Sequence, residues 1–444
     1  MEEKSKLRVM WIANSPGLGA GHLKINQPGS GWVPALQEVL KLYGNCDLAL
    51  AFYHDQPLAP FQLDQTWYFP VKRLGNTKKK RFFNRLRAKA EYDENVPAFL
   101  QAVRTFSPDI IHIHGTEQPF GLILRHLGSI PAVISIQGIL TAYEKKYFSG
   151  LPKPGLLQQI RSGYPFFTTD HRIWQKRALI EQEILSLASA VFGRTDWDRQ
   201  VCRVLAPNAR YFHLDEVIRK PFYLGRWKPG SNQVPVLFTT TSPSLYKGFE
   251  NILDTAAILT ASGISFRWQV AGLKEQDAMV SLILGQRKVR DLQSLHIELL
   301  GTLSEKEHPG FLRAADLYIQ VSHIENSPNS LCEAMLAGMP VIASFAGGTR
   351  SLLLDNVQGT LVQDGDPYAL AGCIDEMLRN PERCRKFAEE AFAAARKRHD
   401  PETIVSEMIN HYHKIIALKK TSPVLQASKA DVAQTKDETQ NILE

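Results

Sequence analysis

The 444-residue sequence has no apolar run approaching the roughly 18 residues that a membrane-spanning helix needs, so any membrane contact is expected to be peripheral. Its opening, MEEKSKLRVMWIAN, lacks the long apolar region and small-residue cleavage site of a secretory signal, which argues against secretion. The five cysteines, Cys46, Cys202, Cys332, Cys373 and Cys384, have neither paired nor metal-ligand spacing and read as reduced thiols of a cytoplasmic protein. There is no solenoid repeat, no aspartate-rich metal motif and no recognised nucleic-acid motif, so neither a metal nor a nucleic acid is an expected partner.

What is present is an ordinary globular composition, with 44% apolar and 22% charged residues and a formal net charge of +7. The length exceeds what a single hydrophobic core usually supports, so two domains are expected. The excess of cations suggests an anionic partner. Its densest run is Lys78-Lys79-Lys80-Arg81, continuing through Arg85, Arg87 and Lys89 with Phe82, Phe83 and Leu86 interleaved. On a helix this pattern suits an anionic membrane surface; it equally suits a solvated helix with a small buried stripe.

Strand-length apolar runs alternate with segments of helical period: LRVMWIA, GWVPALQEVLKLY, CDLALAFY, DIIHIH, GLILRHL and AVISIQG. The rhythm restarts with VPVLFTTTS after the Pro/Gly-rich stretch from Lys220 to Pro235, and continues through FRWQVAG, HIELLG, DLYIQVS and PVIAS. Such alternation favours parallel sheets covered by helices, with ligands at the carboxyl ends of strands. The expected division is 1–219, a linker at 220–235, 236–398, a helix at 399–420 crossing back to the first domain, and a polar, disordered tail at 421–444.

The segment from Asp316 to Ser344 reads strand, loop, helix, strand. Ser327-Pro328 resembles a cap with proline at the first helical position, and Gly338 and Pro340 a stop, so the helix should begin near Asn329. Its free N–H groups would face whatever lies beyond the strand, and such a terminus attracts phosphate. Glu325 and Glu333 flank that site, placed to accept hydrogen bonds from hydroxyls at either end of a diphosphate. Alone, Ser330 to Glu333 also reads as a capping box and Glu325 as an exposed loop charge.

Glu325, seven intervening residues, Glu333, then Ala334-Met335 and Gly338-Met339-Pro340-Val341-Ile342-Ala343 resemble the signature of retaining glycosyltransferases of family 4, which have the GT-B fold. The resemblance covers roughly Val234 to Pro367. It implies an α/β protein of two Rossmann-like doubly wound domains facing each other across a cleft, with the acceptor in the first domain and a nucleotide-diphosphate sugar in the second. It implies that Glu325 faces the transferred sugar, Glu333 binds ribose, Asn329, Ser330 and Leu331 offer backbone to the diphosphate, and Lys247 neutralises the leaving group. No further cofactor is implied.

Where the family usually has Gly-Arg before that lysine, this chain has Thr241 and Ser242. Arg194 is a candidate substitute cation, and a structural ion pair is an equal reading. In the first domain the glycine-rich loop after the first strand would bring Gly29 or Gly31 against the donor. His114 and Gln137, at the ends of two strands, are acceptor-site candidates. The family often has His at the second of these positions, and an amide cannot shuttle protons.

The function so implied is transfer of a sugar, with retention, to a hydroxyl of an acceptor sugar. The basic surface suggests a lipid-linked acceptor in surface-polysaccharide assembly, at the inner face of the cell membrane. Two alternatives stand beside it: a nucleotide-sugar-binding scaffold without activity, and a GT-B epimerase acting on the sugar nucleotide itself.

Overall fold

A computed structural model describes residues 6–25, 31–74, 77–230 and 232–421. The proposed tail from residue 422 onward and Gly29 lie outside them. The first domain is built on an eight-stranded sheet of β1 (Leu7–Ala13), β2 (Cys46–His54), β3 (Phe61–Leu63), β4 (Thr66–Lys72), β5 (Ile110–His114), β6 (Ala132–Ser135), β7 (Ala190–Gly193) and β8 (Arg210–His213). Its order is β3-β4-β2-β1-β5-β6-β7-β8, and the β3–β4 pair alone is antiparallel. β1 is fully buried from Val9 to Ala13, as a continuous apolar strand covered on both faces must be.

The second domain holds β9 (Val236–Thr240), β10 (Arg267–Ala271), β11 (Ile297–Gly301), β12 (Leu317–Gln320), β13 (Val341–Phe345) and β14 (Thr360–Gln363), all parallel, in the order β11-β10-β9-β12-β13-β14. The strand order reverses between β9 and β12, so the loops after these strands diverge and leave a crevice at their carboxyl ends. The first sheet reverses between β1 and β5 in the same way.

The helices that shape the cleft are α1 (Trp32–Tyr43), α2 (Lys78–Leu86), α3 (Phe167–Leu187), α4 (Phe249–Ala261), α5 (Asn329–Leu336) and α6 (Pro401–Thr421). The apolar run GLILRHL, between β5 and β6, forms a 3₁₀ segment, Pro119–His126, which Pro119 opens and whose buried side chains pack around the turn. The Pro/Gly-rich stretch after Lys220 is not free-standing, since Phe222 and Trp227 are buried in the core of the second domain.

Helix α6 packs Ile404, Val405, Met408 and Tyr412 into the core of the first domain, beside Val9, Trp11 and Leu36. The Tyr412 hydroxyl accepts a hydrogen bond from the Trp11 indole N–H at 3.2 Å and lies 2.6 Å from His112 Nδ1. Burial, with Arg194 adding to it, pushes His112 down to about 3, so the ring stays neutral. Tyr412→Ala should destabilise the protein by about 3–5 kcal/mol through the lost ring. Tyr412→Phe should cost about 1–3 kcal/mol by leaving His112 without its partner. Urea denaturation of both variants checks the pair, and an unchanged Tyr412→Phe midpoint would mean that the hydroxyl contributes nothing.

Candidate functional site

The crevice beyond β9 and β12 is shaped by close backbone approaches. Gly248 has φ +76° and caps α4; a Cβ there would lie 2.2 Å from the Val321 carbonyl oxygen. Gly347, at φ +54°, would place a Cβ 2.0 Å from the Glu325 carbonyl oxygen, and the Gly348 N–H donates to that same oxygen at 2.8 Å. Only glycine satisfies such contacts. Together the two turns fix Lys247 and Glu325 on facing loops.

Lys247 Nζ donates to Glu325 Oε1 at 2.5 Å. Both side chains are largely buried, and although burial itself opposes the ammonium, Glu325 and Tyr246 hold the Lys247 pKa above its usual value. The helix α5 begins at Asn329 as expected, but Pro328 occupies the cap position, and the Ser327 hydroxyl donates to Glu216 instead of capping. The N-terminal amides of α5 are therefore not taken by a side-chain cap. Around this end, the Thr241 hydroxyl and the Asn329 side-chain oxygen are buried without a protein partner, an arrangement that costs free energy unless a ligand or water meets them.

Glu333 does not form the capping box. It accepts from Arg219 at 2.6 and 2.9 Å, and His308 Nδ1 lies 3.9 Å away. Burial raises its pKa to about 7, against the opposing pull of Arg219. His308, buried and beside Arg219, falls to about 4 and accepts or donates at Thr240 Oγ1, 2.8 Å away, as a neutral ring. Gly31 stands against this arginine: a Cβ on it would lie 2.3 Å from Arg219 Cδ. Sequence reasoning missed Arg219 and His308, because neither lies in a motif.

Two further candidates are engaged with the protein itself. His114 is buried behind Trp11 and Trp32, with ring centroids at 4.7 and 5.2 Å, and both its ring nitrogens lack partners. Burial, with His112 beside it, holds it well below its usual pKa, so it offers no proton to the cleft. Arg194 is no free phosphate ligand: it donates to Gln137 Oε1 at 2.9 Å and lies 3.6 Å from Glu216. The structural ion pair wins because a buried guanidinium needs a carboxylate partner. Gln137 thereby orients Arg194, while its backbone oxygen accepts from Asn326 at 3.3 Å.

Asn326 also joins the domains through its side-chain oxygen, which accepts from Thr195 Oγ1 at 2.7 Å. Among the described residues the group with metal-ligand spacing is Glu216, Cys332 and His399. Arg194 and Arg398 flank Glu216 and hold its carboxyl down to about 2 despite its burial, which leaves little reason for a metal cation there. No helix among the described residues is long and apolar enough to cross a membrane.

Two measurements test these pairs. Lys247→Met should destabilise the protein by about 3–5 kcal/mol by stranding the Glu325 carboxylate, and Lys247→Met with Glu325→Gln should recover most of that loss in the same denaturation assay. For Glu333, the folded pKa of about 7 lies above the ordinary 4.5. The stability difference between wild type and Glu333→Gln should thus favour wild type most below about pH 4.5 and decline as pH rises to about 7. Arg219→Ala should move the upper end of that window higher.

Comparison with known proteins then places this geometry. Residues 226–394 match the family model "Glycosyl transferases group 1". Over 153 residues the chain is 29% identical to the D-inositol 3-phosphate glycosyltransferase of Xylanimonas cellulosilytica, covering 34% of each chain. Over 146 residues it is 32% identical to the phosphatidyl-myo-inositol mannosyltransferase of Mycobacterium leprae, covering 31% of this chain and 39% of that one. The matched part thus spans only about a third of the length of these curated relatives. In structure, sucrose-phosphate synthase from Thermosynechococcus elongatus superposes with TM-score 0.68 at 15% identity, over 93% of this chain and all of that one. HepE of Anabaena, solved in complex with UDP and glucose, gives 0.58 at 18%, over 92% and 99%. The chain thus has a GT-B fold, and its residues 226–394 resemble the glycosyl transferases group 1 domain.

Proposed function

We propose that the protein is a retaining glycosyltransferase that moves a sugar from a nucleotide-diphosphate donor to an acceptor hydroxyl. The observation that carries this reading is the meeting of three features at the switch point of the second sheet. These are the N-terminus of α5 without a side-chain cap, the Lys247–Glu325 pair, and Glu333 within the same helix. A diphosphate at the helix terminus gains from its amides and dipole, and Lys247 is the nearest fixed cation of the motif. Glu333 takes the ribose hydroxyls in place of Arg219, and Glu325 takes a hydroxyl of the transferred sugar.

In the reaction the bond between the anomeric carbon and the diphosphate oxygen breaks, and the acceptor oxygen bonds to that carbon from the same face. The acceptor proton passes to the departing diphosphate, so no separate enzymic base is required. Charge grows on the diphosphate as it leaves, and a preorganised cation and helix terminus stabilise it more than the ground state. Thr241 and Ser242 supply no second cation, so the burden on Lys247 is larger. The HepE complex with UDP and glucose, and relatives named for amylovoran and colanic acid biosynthesis, support a nucleotide-sugar donor and a polysaccharide pathway. Action at the inner face of the membrane, on a lipid-linked acceptor, belongs to the same proposal.

The reading is tested by a thermal-shift panel of UDP-, GDP- and ADP-sugars, followed by turnover and NMR of the product's anomeric centre. One nucleotide class should raise the melting temperature. Glu333→Ala should weaken nucleotide binding by about tenfold, and Lys247→Ala should lower kcat by about 10²–10³. An inverted product would overturn the retaining mechanism. Stabilisation without any turnover would favour the binding scaffold, and conversion of the donor alone would favour the epimerase.

A further inference from the structure

The first domain contains a cavity of about 700 Å³ that the donor site does not use. Three separate elements line it with cations: Arg73 after β4, Lys78, Arg81, Arg85 and Lys89 in and just after α2, and Arg177 of α3. The lining carries only two carboxylates, Glu91 and Glu117. Glu91 is taken by Arg73 at 2.7 Å. Glu117 is turned to the Gly138 N–H at 3.0 Å, and its burial raises its pKa. Arg85 is held by Asp170 at 2.9 Å. Arg177 is half-buried and donates to the Glu117 backbone oxygen at 2.7 Å; among the described residues it makes no close ion pair, although the Glu117 and Glu181 carboxylates act on it from further off.

Lys78, Arg81 and Lys89 have no ion-pair partner among the described residues. Like charges converging on a concave, partly apolar wall repel one another, and the field they focus there favours an anion. A solvated helix face would spread its cations outward. Here α2 is capped by Thr77, and Arg85 anchors it to α3, so its exposed cations rim one open hollow.

The cavity also has a neighbour. A second hollow of about 300 Å³ shares Arg85, Ile173 and Arg177 with it, and is closed on its far side by Pro243 to Tyr246. Tyr246 precedes Lys247, whose Nζ lies 5.5 Å from the tyrosine ring. The two hollows are thus neighbours, and the Tyr246 ring stands between the second of them and Lys247.

We propose that this cavity is the seat of a phosphate or diphosphate group carried by the acceptor, whose remaining part extends toward the donor site over the neighbouring hollow that Tyr246 lines. The proposal rests on the glycosyltransferase reading and adds the chemical class of the acceptor. The phosphate belongs either to a soluble phosphate ester or to a lipid headgroup. For the second source, α2 exposes Phe82, Phe83 and Leu86 at 51%, 46% and 54%, beside the cavity mouth, a surface suited to the boundary of an anionic bilayer.

The test is calorimetric titration of the full chain with inorganic pyrophosphate, with the preferred nucleoside diphosphate held at saturation to fill the donor site. The surface variant Arg81→Glu with Lys89→Glu leaves the half-buried Arg177 intact. It should bind pyrophosphate about tenfold more weakly, or about 1.4 kcal/mol, while binding the nucleoside diphosphate as wild type does. Equal pyrophosphate affinity in the two proteins would overturn the proposal and leave the glycosyltransferase reading standing. Failure of wild type to bind any nucleoside diphosphate would instead overturn that reading. Co-sedimentation with phosphatidylglycerol vesicles against phosphatidylcholine vesicles separates the sources. Loss of phosphatidylglycerol binding in the variant assigns the phosphate to a headgroup, and pyrophosphate binding without vesicle binding assigns it to a soluble ester.

Discussion

Everything in the cleft is arranged around a carboxylate that water scarcely reaches. Glu325 stands on the loop after β12 and is largely buried, and its charge is compensated by one cation, Lys247, on the loop after β9. Removing two charges from water costs several kcal/mol per ion unless they meet in good geometry. That geometry depends on the strand reversal between β9 and β12, which brings the two loops face to face, and on Gly248 and Gly347, which let backbone lie where a side chain could not. The pair is therefore a product of the sheet topology. Strength alone does not explain it, because an apolar pair of the same volume would hold the loops at lower cost.

The same economy of buried charge fixes the two domains against each other. Glu216 lies between Arg194 and Arg398, and Ser327 and Cys332 of the donor domain reach it as well. Thr195 and Gln137, both at carboxyl ends of first-sheet strands, hold Asn326, the neighbour of Glu325. Helix α6 then closes the chain back onto β1 through Tyr412. A shift of one domain would thus be felt at the Lys247–Glu325 pair within a residue or two.

The sequence made the alternating strand and helix rhythm legible, together with the start of α5 at Asn329, since each is a matter of local period or motif; Lys247 and Glu325 were legible singly, but not as the ion pair they form across 78 positions. The exceptions have physical causes. His114 ends a strand as a cleft residue would, yet the indole of Trp32, from a different element, covers it. Arg219 reaches Glu333 from 114 positions away, and no local pattern announces such a partner. The basic run around Lys80 was visible, but the cavity it borders needs Arg73 and Arg177 as well, and only folding brings them together.

The cations lie in two separate places, Lys247 beside Glu325 and the cluster around Arg177, an arrangement that the two proposals read together. A departing diphosphate and a phosphate-bearing acceptor repel each other, by about 1 kcal/mol at 4 Å in bulk water and by more in a cleft of lower dielectric. Separate cationic seats reduce that cost. On the proposed reading, Lys247 and the α5 terminus would serve the donor and Arg85 and Arg177 the acceptor, with the Tyr246 ring beside Lys247 and Trp174 packed 5.7 Å from it. Two aromatic rings between the cations lower the local dielectric, so each cation would act most strongly on the anion nearest to it.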